Sequence, residues 1–256
     1  MQAFKSEDLA SGIKDLSLDQ RSLGMCWNID TDTFTFKVAV KDKRYTCRGV
    51  LSVINSIFDS LGLASPVTIK GNLSSLRVPC CYVPVSLSKS TYTELCVFCD
   101  ASSWATAAVA YLKAVNAVGQ CEVGLVLGKA KLSPQPEPTI PRLELCGAVL
   151  GVEIADLMLE ELDHKPNAVK FYCESRVVLG YVCNDAKRFY VYVHNRVHRL
   201  RHSTSHEQSH YVTSEKNPAD LATRSIPESQ LMDTMWFRAV VPNHRYQLVP
   251  GRPRNN

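Results

Sequence analysis

No run of apolar residues in this 256-residue sequence approaches the ~20 that a membrane-crossing helix needs, which excludes a helical membrane protein. The first twenty residues, MQAFKSEDLASGIKDLSLDQ, have neither the basic start and apolar core of a secretory signal nor the character of a transit peptide. The expected location is therefore intracellular, cytoplasmic or nuclear. The sequence also lacks the short motifs of several chemistries: there is no GxSxG and no GxxxxGKS/T phosphate loop. Cys96 and Cys99 form a lone CxxC with no second CxxC to complete a four-cysteine site, so a zinc site is not expected. On a strand, residues three apart point to opposite faces. Cys146 and Cys173 have no evident histidine partner, which argues against a cysteine nucleophile.

What is present describes a globular chain. The hydrophobic fraction of 45% and charged fraction of 21% exclude a disordered protein. The ten cysteines sit in apolar runs such as ELCVFC and VKFYCES, where a reduced thiol behaves as a small hydrophobe. Net charge is only +4, but AKRFYVYVHNRVHRLRHS, residues 186–203, collects Lys187, Arg188, Arg196, Arg199 and Arg201 with three histidines and no acid. Charge alone leaves two readings open, a phosphate-facing surface or a solvated helix face.

Periodicity organises the chain. Residues 21–40 predict two strands around a turn at Asp30 to Asp32, with Phe34, Phe36 and Val38 alternating. Residues 49–63 suit a short amphipathic helix, stopped by Gly62 and Pro66. From 70 to 90 the chain is rich in serine and proline and without period, as in a linker. ELCVFCDA, SWATAAVAYLKAV and CEVGLVLGKAKL then read as three strands, the last two joined at a turn from Asn116 to Gly119. Residues 141–162 predict the strongest helix, with Pro141 at its first position and Leu143, Leu150, Ile154 and Leu157 at helical spacing. AVKFYC is a fourth strand, followed by helices from about Ser175 and Lys187. SHYVTS is a fifth strand, and Asn217 caps a last helix. Three strands running together followed by alternation predict a mixed sheet covered by helices.

Four acids stand at the edges of these elements. Asp100 ends the first strand of the series, Glu144 lies in the first turn of the long helix, Glu174 ends the fourth strand, and Asp220 lies in the first turn of the last helix. Behind Glu144, the residues Ala148, Gly151 and Ala155 are small enough to let the helix approach a sheet closely. Each acid alone is ordinary, since the helix dipole favours acids in first turns. Together they form the kind of oxygen-rich set that holds Mg²⁺. Two such ions ~3.5–4 Å apart activate water and stabilise the leaving oxygen of a phosphodiester.

On FCDASSWATAAVAYL, TIPRLELCGAVLG, SRVVLGYVCNDAKRFYVYVHNRV and SEKNPADLATR, the sequence resembles the ribonuclease H region of Pao/BEL-type long-terminal-repeat retrotransposon polyproteins, from about Arg77 to Phe237. RSLGMCWNIDTDTFTFKV and VLSVINSIFDSLGLASPVTIKG resemble the segment that follows the reverse transcriptase palm in the same polyproteins. The resemblance implies an α/β, ribonuclease H-like fold with a mixed five-stranded sheet flanked by helices. A truncated thumb or connection remnant would precede it. It also implies cleavage of RNA in RNA–DNA hybrids with Mg²⁺ or Mn²⁺, two ions if active, at Asp100, Glu144, Glu174 and Asp220. Lys187, Arg188, Asn195, Arg196, Arg199 and Arg201 would lie along the hybrid or another nucleic acid.

The departures from the family are specific. Cys173-Glu174-Ser175 stands where the family has Thr-Asp-Ser, so one carboxylate is a methylene too long. There is no Asp-Asp dipeptide, and no reverse transcriptase activity is expected. Residues 70–76 resemble a join across a deletion, Ser209 stands where the family has tryptophan, and the last residues are unrelated to it. The expected organisation is a reverse-transcriptase-derived segment over 1–70, a linker over 71–93, the nuclease-like domain over 94–237 and a disordered basic tail over 238–256. The alternative function is a catalytically inactive nucleic-acid-binding or structural remnant.

Overall fold

The computed structural model describes residues 19–22, 25–28, 31–36, 59, 61–67, 77–79, 90–134, 138–184, 188–224, 226–239 and 241. Three long strands, β5 (Ser90–Ala101), β6 (Ala105–Asn116) and β7 (Cys121–Leu132), form an antiparallel meander. The first turn of that meander is held by Ser102, and the second by Asn116, whose Oδ1 accepts the backbone N–H of Val118 and Gln120 at 3.0 and 2.9 Å. Gly119 completes the second turn at φ +83°, a conformation that glycine adopts without strain.

The chain then forms α1 (Ile140–Glu161) and crosses to β8 (Ala168–Cys173), parallel to β5. Helices α2 (Arg176–Cys183) and α3 (Val191–Ser203) lead to β9 (Ser209–Tyr211), parallel to β8. Two short helices follow, α4 (Ala219–Arg224) and α5 (Glu228–Leu231). The sheet order β7-β6-β5-β8-β9 is the mixed five-stranded sheet of a ribonuclease H-like α/β fold.

Strand β5 is apolar from Leu95 to Cys99 because both of its faces are covered there, as central strands with layers above and below require. Leu95, Val97 and Cys99 face α1, α2 and α3, packing with Leu145, Leu150, Ile154, Val178 and Leu200. Cys96 and Phe98 face the other side, where Phe98 stacks on Tyr172 at 4.5 Å and meets Tyr111 edge-on at 5.8 Å. The CxxC pair is thus split between two cores, as the strand period predicts.

Helix α1 lies unusually close to the sheet. A Cβ on Gly147 would come within 2.7 Å of the Asp100 carbonyl oxygen, and one on Gly151 within 3.4 Å of Val97. Ala148 and Ala155 are buried beside them, so the small face expected from the sequence exists, with Gly147 as its tightest point. Leu157 is a correction. It is 43% exposed, and Met158 takes the buried position at that turn.

A second, four-stranded antiparallel sheet precedes this one: β1 (Asp19–Ser22), β2 (Met25–Asn28), β3 (Thr33–Thr35) and β4 (Arg77–Pro79). The β2–β3 turn places Asp32 at φ 48°, and its carboxylate accepts the Trp27 indole N–H at 3.1 Å. Strand β4 comes from the stretch expected to be a linker, and pairs with β3 through Phe34 and Val78. Most of the helix expected over 49–63 lies outside the described residues. Its end, 61–67, is a series of turns in which Asp59 accepts the N–H groups of Leu63 and Ala64 at 2.9 and 2.8 Å.

These upstream pieces pack on the open face of the larger sheet. Met25, Phe34, Leu63, Val67 and Val78 share one core with Phe98, Tyr111 and Trp236. Gly128 N–H donates to Leu61 O at 2.8 Å, and the fully buried Trp236 donates its indole N–H to Leu63 O at 3.0 Å. Val241 belongs to the same core, inside the span expected to be a tail.

Candidate active site

The parallel pairing of β5 with β8 sets Cys99 opposite Cys173. The next residue on each strand is therefore an acid, Asp100 beside Glu174, separated by about one inter-strand spacing of ~4.8 Å. Asp220 reaches the same place from α4. Asn217, fully buried, donates its side-chain amide to Cys99 O at 3.0 Å and accepts Ala219 N–H at 3.2 Å, so one residue caps α4 and fastens it to the strand end. Each of Asp100, Glu174 and Asp220 offers an oxygen, and the three oxygens lie within 4.8 Å of one another. Among the described residues this is the one group of three or more acid, histidine or cysteine side chains so placed.

Two of these three acids are held by hydroxyls. Thr223 Oγ1 donates to Asp100, and Ser214 Oγ donates to Glu174. Asp220 is paired with Arg224 at 2.7 Å, a guanidinium that is two-thirds exposed and closes the outer side. Glu144 is placed differently. It lies outside the group of three, and its carboxylate takes the hydroxyl of Ser175, which also caps α2 by accepting Val178 N–H at 3.3 Å. Of the four acids expected to share metal, the structure brings three together.

Crowding shows in their acidity. Burial pushes the Glu174 carboxyl up to about 7, helped by its hydrogen bond to Asp100 and the charges of Asp100 and Asp220. Burial and the Asp100 charge also raise Asp220, against the pull of Arg224. Behind them, the hydrogen bond with Cys173 and then burial hold the Cys99 thiol well above its ordinary range, so this sulfur stays protonated.

The basic residues divide by partner. Arg199 pairs with Asp156 of α1, and Arg201 donates to Tyr181 O at 2.7 Å and to Asn184 O, where α2 ends. Arg188 and Asn195 are exposed, and Lys187 lies outside the described residues. Arg196 stacks on Tyr192, its guanidinium carbon 3.6 Å from the ring centroid. Arg142 of α1 lies 5.2 Å from the same centroid. Neither Arg142 nor Tyr192 was singled out from the sequence, because the contact joins residues fifty positions apart.

Comparison with curated proteins gives no match. Among solved structures, the chain is similar to RNase H1 from the halophilic archaeon Halobacterium salinarum NRC-1, at 11% identity, covering 55% of this chain and 89% of that one, TM-score 0.29. It is similar to the N-terminal RNase H domain of a Mycobacterium tuberculosis protein at 12% identity, covering 51% and 94%, TM-score 0.34. A third similar structure is LC11-RNase H1 in complex with an RNA/DNA hybrid, at 14% identity, covering 50% and 91%, TM-score 0.33. A family model matches over residues 72–175, a span that holds Asp100, Glu144 and Glu174 and ends before Asp220. That model is the Pao retrotransposon-like RNaseH-like domain, to which residues 72–175 of this chain are similar.

Proposed function

We propose that this protein hydrolyses RNA in RNA–DNA hybrids, with Mg²⁺ or Mn²⁺ held by Asp100, Glu174 and Asp220, and that Glu174 slows the reaction. The observation that carries this reading is the convergence of three carboxylates, from three separate elements, within 4.8 Å at one end of the sheet. Such a set is unfavourable without a cation, since like charges this close raise one another's pKa values. A hard divalent ion, which prefers oxygen donors, fits it. When bound, that ion supplies Lewis-acid stabilisation of the phosphate and a more acidic water.

The chain's own contribution is placement. Thr223 and Ser214 orient the Asp100 and Glu174 carboxylates, and Asn217 fixes the helix that carries Asp220. Relative to aspartate, Glu174 reaches about 1.5 Å further along one more bond. Misplacement of about 1 Å lowers rates on the order of a hundredfold. The second reading is a nucleic-acid-binding protein without turnover. It is favoured by the hydrogen bond that draws Glu144 to Ser175 and away from the other three acids.

The deciding experiment incubates the purified protein with a labelled RNA–DNA hybrid in Mg²⁺ or Mn²⁺. Slow cleavage is expected, abolished by Asp100→Asn and accelerated about tenfold or more by Glu174→Asp. Absence of cleavage by both the natural chain and Glu174→Asp, with hybrid still bound, would establish the second reading.

A further inference from the structure

Four arginines of the basic segment fall among the described residues, and two of them, Arg199 and Arg201, are committed to holding α3 against α1 and α2. Arg196 is not. Its guanidinium lies on the Tyr192 ring while one nitrogen donates to Tyr192 O at 3.2 Å, and Arg142 approaches the same ring from the first turn of α1. The ring is pinned as well, since its hydroxyl meets the Cys146 thiol at 3.2 Å, one turn beyond Arg142 on the same helix. Among the described residues, neither Arg142 nor Arg196 faces a carboxylate at ion-pair distance.

Two like charges gathered on one aromatic ring repel each other, and an oxyanion between them would relieve that repulsion. A stacked guanidinium still offers its remaining N–H groups, and these match a phosphate with little further loss of side-chain freedom. The location suits this. Cys146 adjoins Gly147, the point at which α1 touches the Asp100 backbone. The ring is thus tied to the part of α1 that packs on the strand carrying Asp100.

We propose that Arg142 and Arg196, organised by Tyr192, clamp one backbone phosphate of the bound nucleic acid. The clamp deepens the nucleic-acid reading above and rests on it. Its test uses the full chain carrying Asp100→Asn, so that bound hybrid stays intact, with affinity measured by fluorescence anisotropy across a salt series. Arg142→Ala and Arg196→Ala are each expected to weaken binding about tenfold and to reduce the salt slope by about 1. Tyr192→Phe keeps the ring and the affinity, whereas Tyr192→Leu weakens binding about as much as losing one arginine. Arg238→Ala, which removes an exposed charge paired with Asp233, controls for net charge and leaves the slope unchanged.

A scan of hybrids with one neutral methylphosphonate at successive positions locates the phosphate. One position should weaken the Asp100→Asn protein and have no further effect on its Arg142→Ala/Arg196→Ala derivative. If the hybrid binds but affinity, slope and scan are the same with and without the two arginines, the clamp is overturned and the nucleic-acid reading stands. If no hybrid binds at all, that reading itself fails.

Discussion

Glu174 carries its raised pKa in the folded state, so the folded protein holds the proton more tightly than the unfolded chain does. Its contribution to stability is whole below the ordinary value of 4.5 and is lost as pH climbs through about 7. Asp59 behaves similarly in a lower window, since burial lifts it from 3.8 to about 6 against three backbone N–H groups that pull the other way. Melting temperature is therefore expected to fall between pH 4 and pH 8 without divalent ions. Added Mg²⁺ or Mn²⁺ should restore the upper part of that loss, which belongs to Glu174, and leave the lower part, which belongs to Asp59. Thermal melts at half-unit pH steps, with EDTA or with metal, check this. A fall that metal cannot reverse anywhere would remove Glu174 from the candidate site.

The acids were legible in the sequence because each ends an apolar run or begins a helix, and such positions gather at one end of a sheet. What could not be read was which neighbour each side chain would take. Glu144 looks like the other three until Ser175 is placed beside it, and Arg199 looks free until Asp156 is placed across from it. Those partners come from other elements, and no local pattern encodes them.

At the scale of elements, the site depends on how closely α1 sits on β5. Gly147→Ala would put a methyl 2.7 Å from the Asp100 carbonyl, in contact with backbone that has no rotamer to yield. The helix must lift, costing about 1–3 kcal/mol of stability. Asp100 must also move, and on the order of a hundredfold in cleavage rate should go with it. Urea denaturation and the hybrid assay measure the two effects. Unchanged stability and rate together would mean that the helix has more room than the geometry allows. The helix and its small face were legible because period and residue size are local properties. Strand β4 was not, since Arg77–Pro79 has no alternation of its own and becomes a strand only through Phe34 and its neighbours on β3.

At the scale of the whole molecule, the larger sheet has two coats. Helices α1, α2 and α3 cover one face, and the small upstream sheet, the 61–67 turns and the chain around Trp236 cover the other. Trp236→Ala is expected to cost about 3–5 kcal/mol, because it empties a fully enclosed aromatic position and strands the Leu63 carbonyl. Removing residues 1–71 should expose Phe98, Tyr111 and Tyr172 on that face and give a protein that binds hydrophobic dye or precipitates. A shortened chain that binds no dye, remains in solution and melts at the same temperature would show the second coat to be dispensable.

The contact between Gly62 and Gly128 shows how close this packing is. A Cβ on Gly62 would fall 1.8 Å from the Gly128 carbonyl oxygen, so the segment that resembles polymerase sequence lies against the nuclease-like sheet backbone to backbone, with no side chain between them. Similarity marks a border near residue 72, but the folded molecule has no seam there. Any side chain accepted at Gly62 has to suit both segments at once, because it would meet the Gly128 backbone.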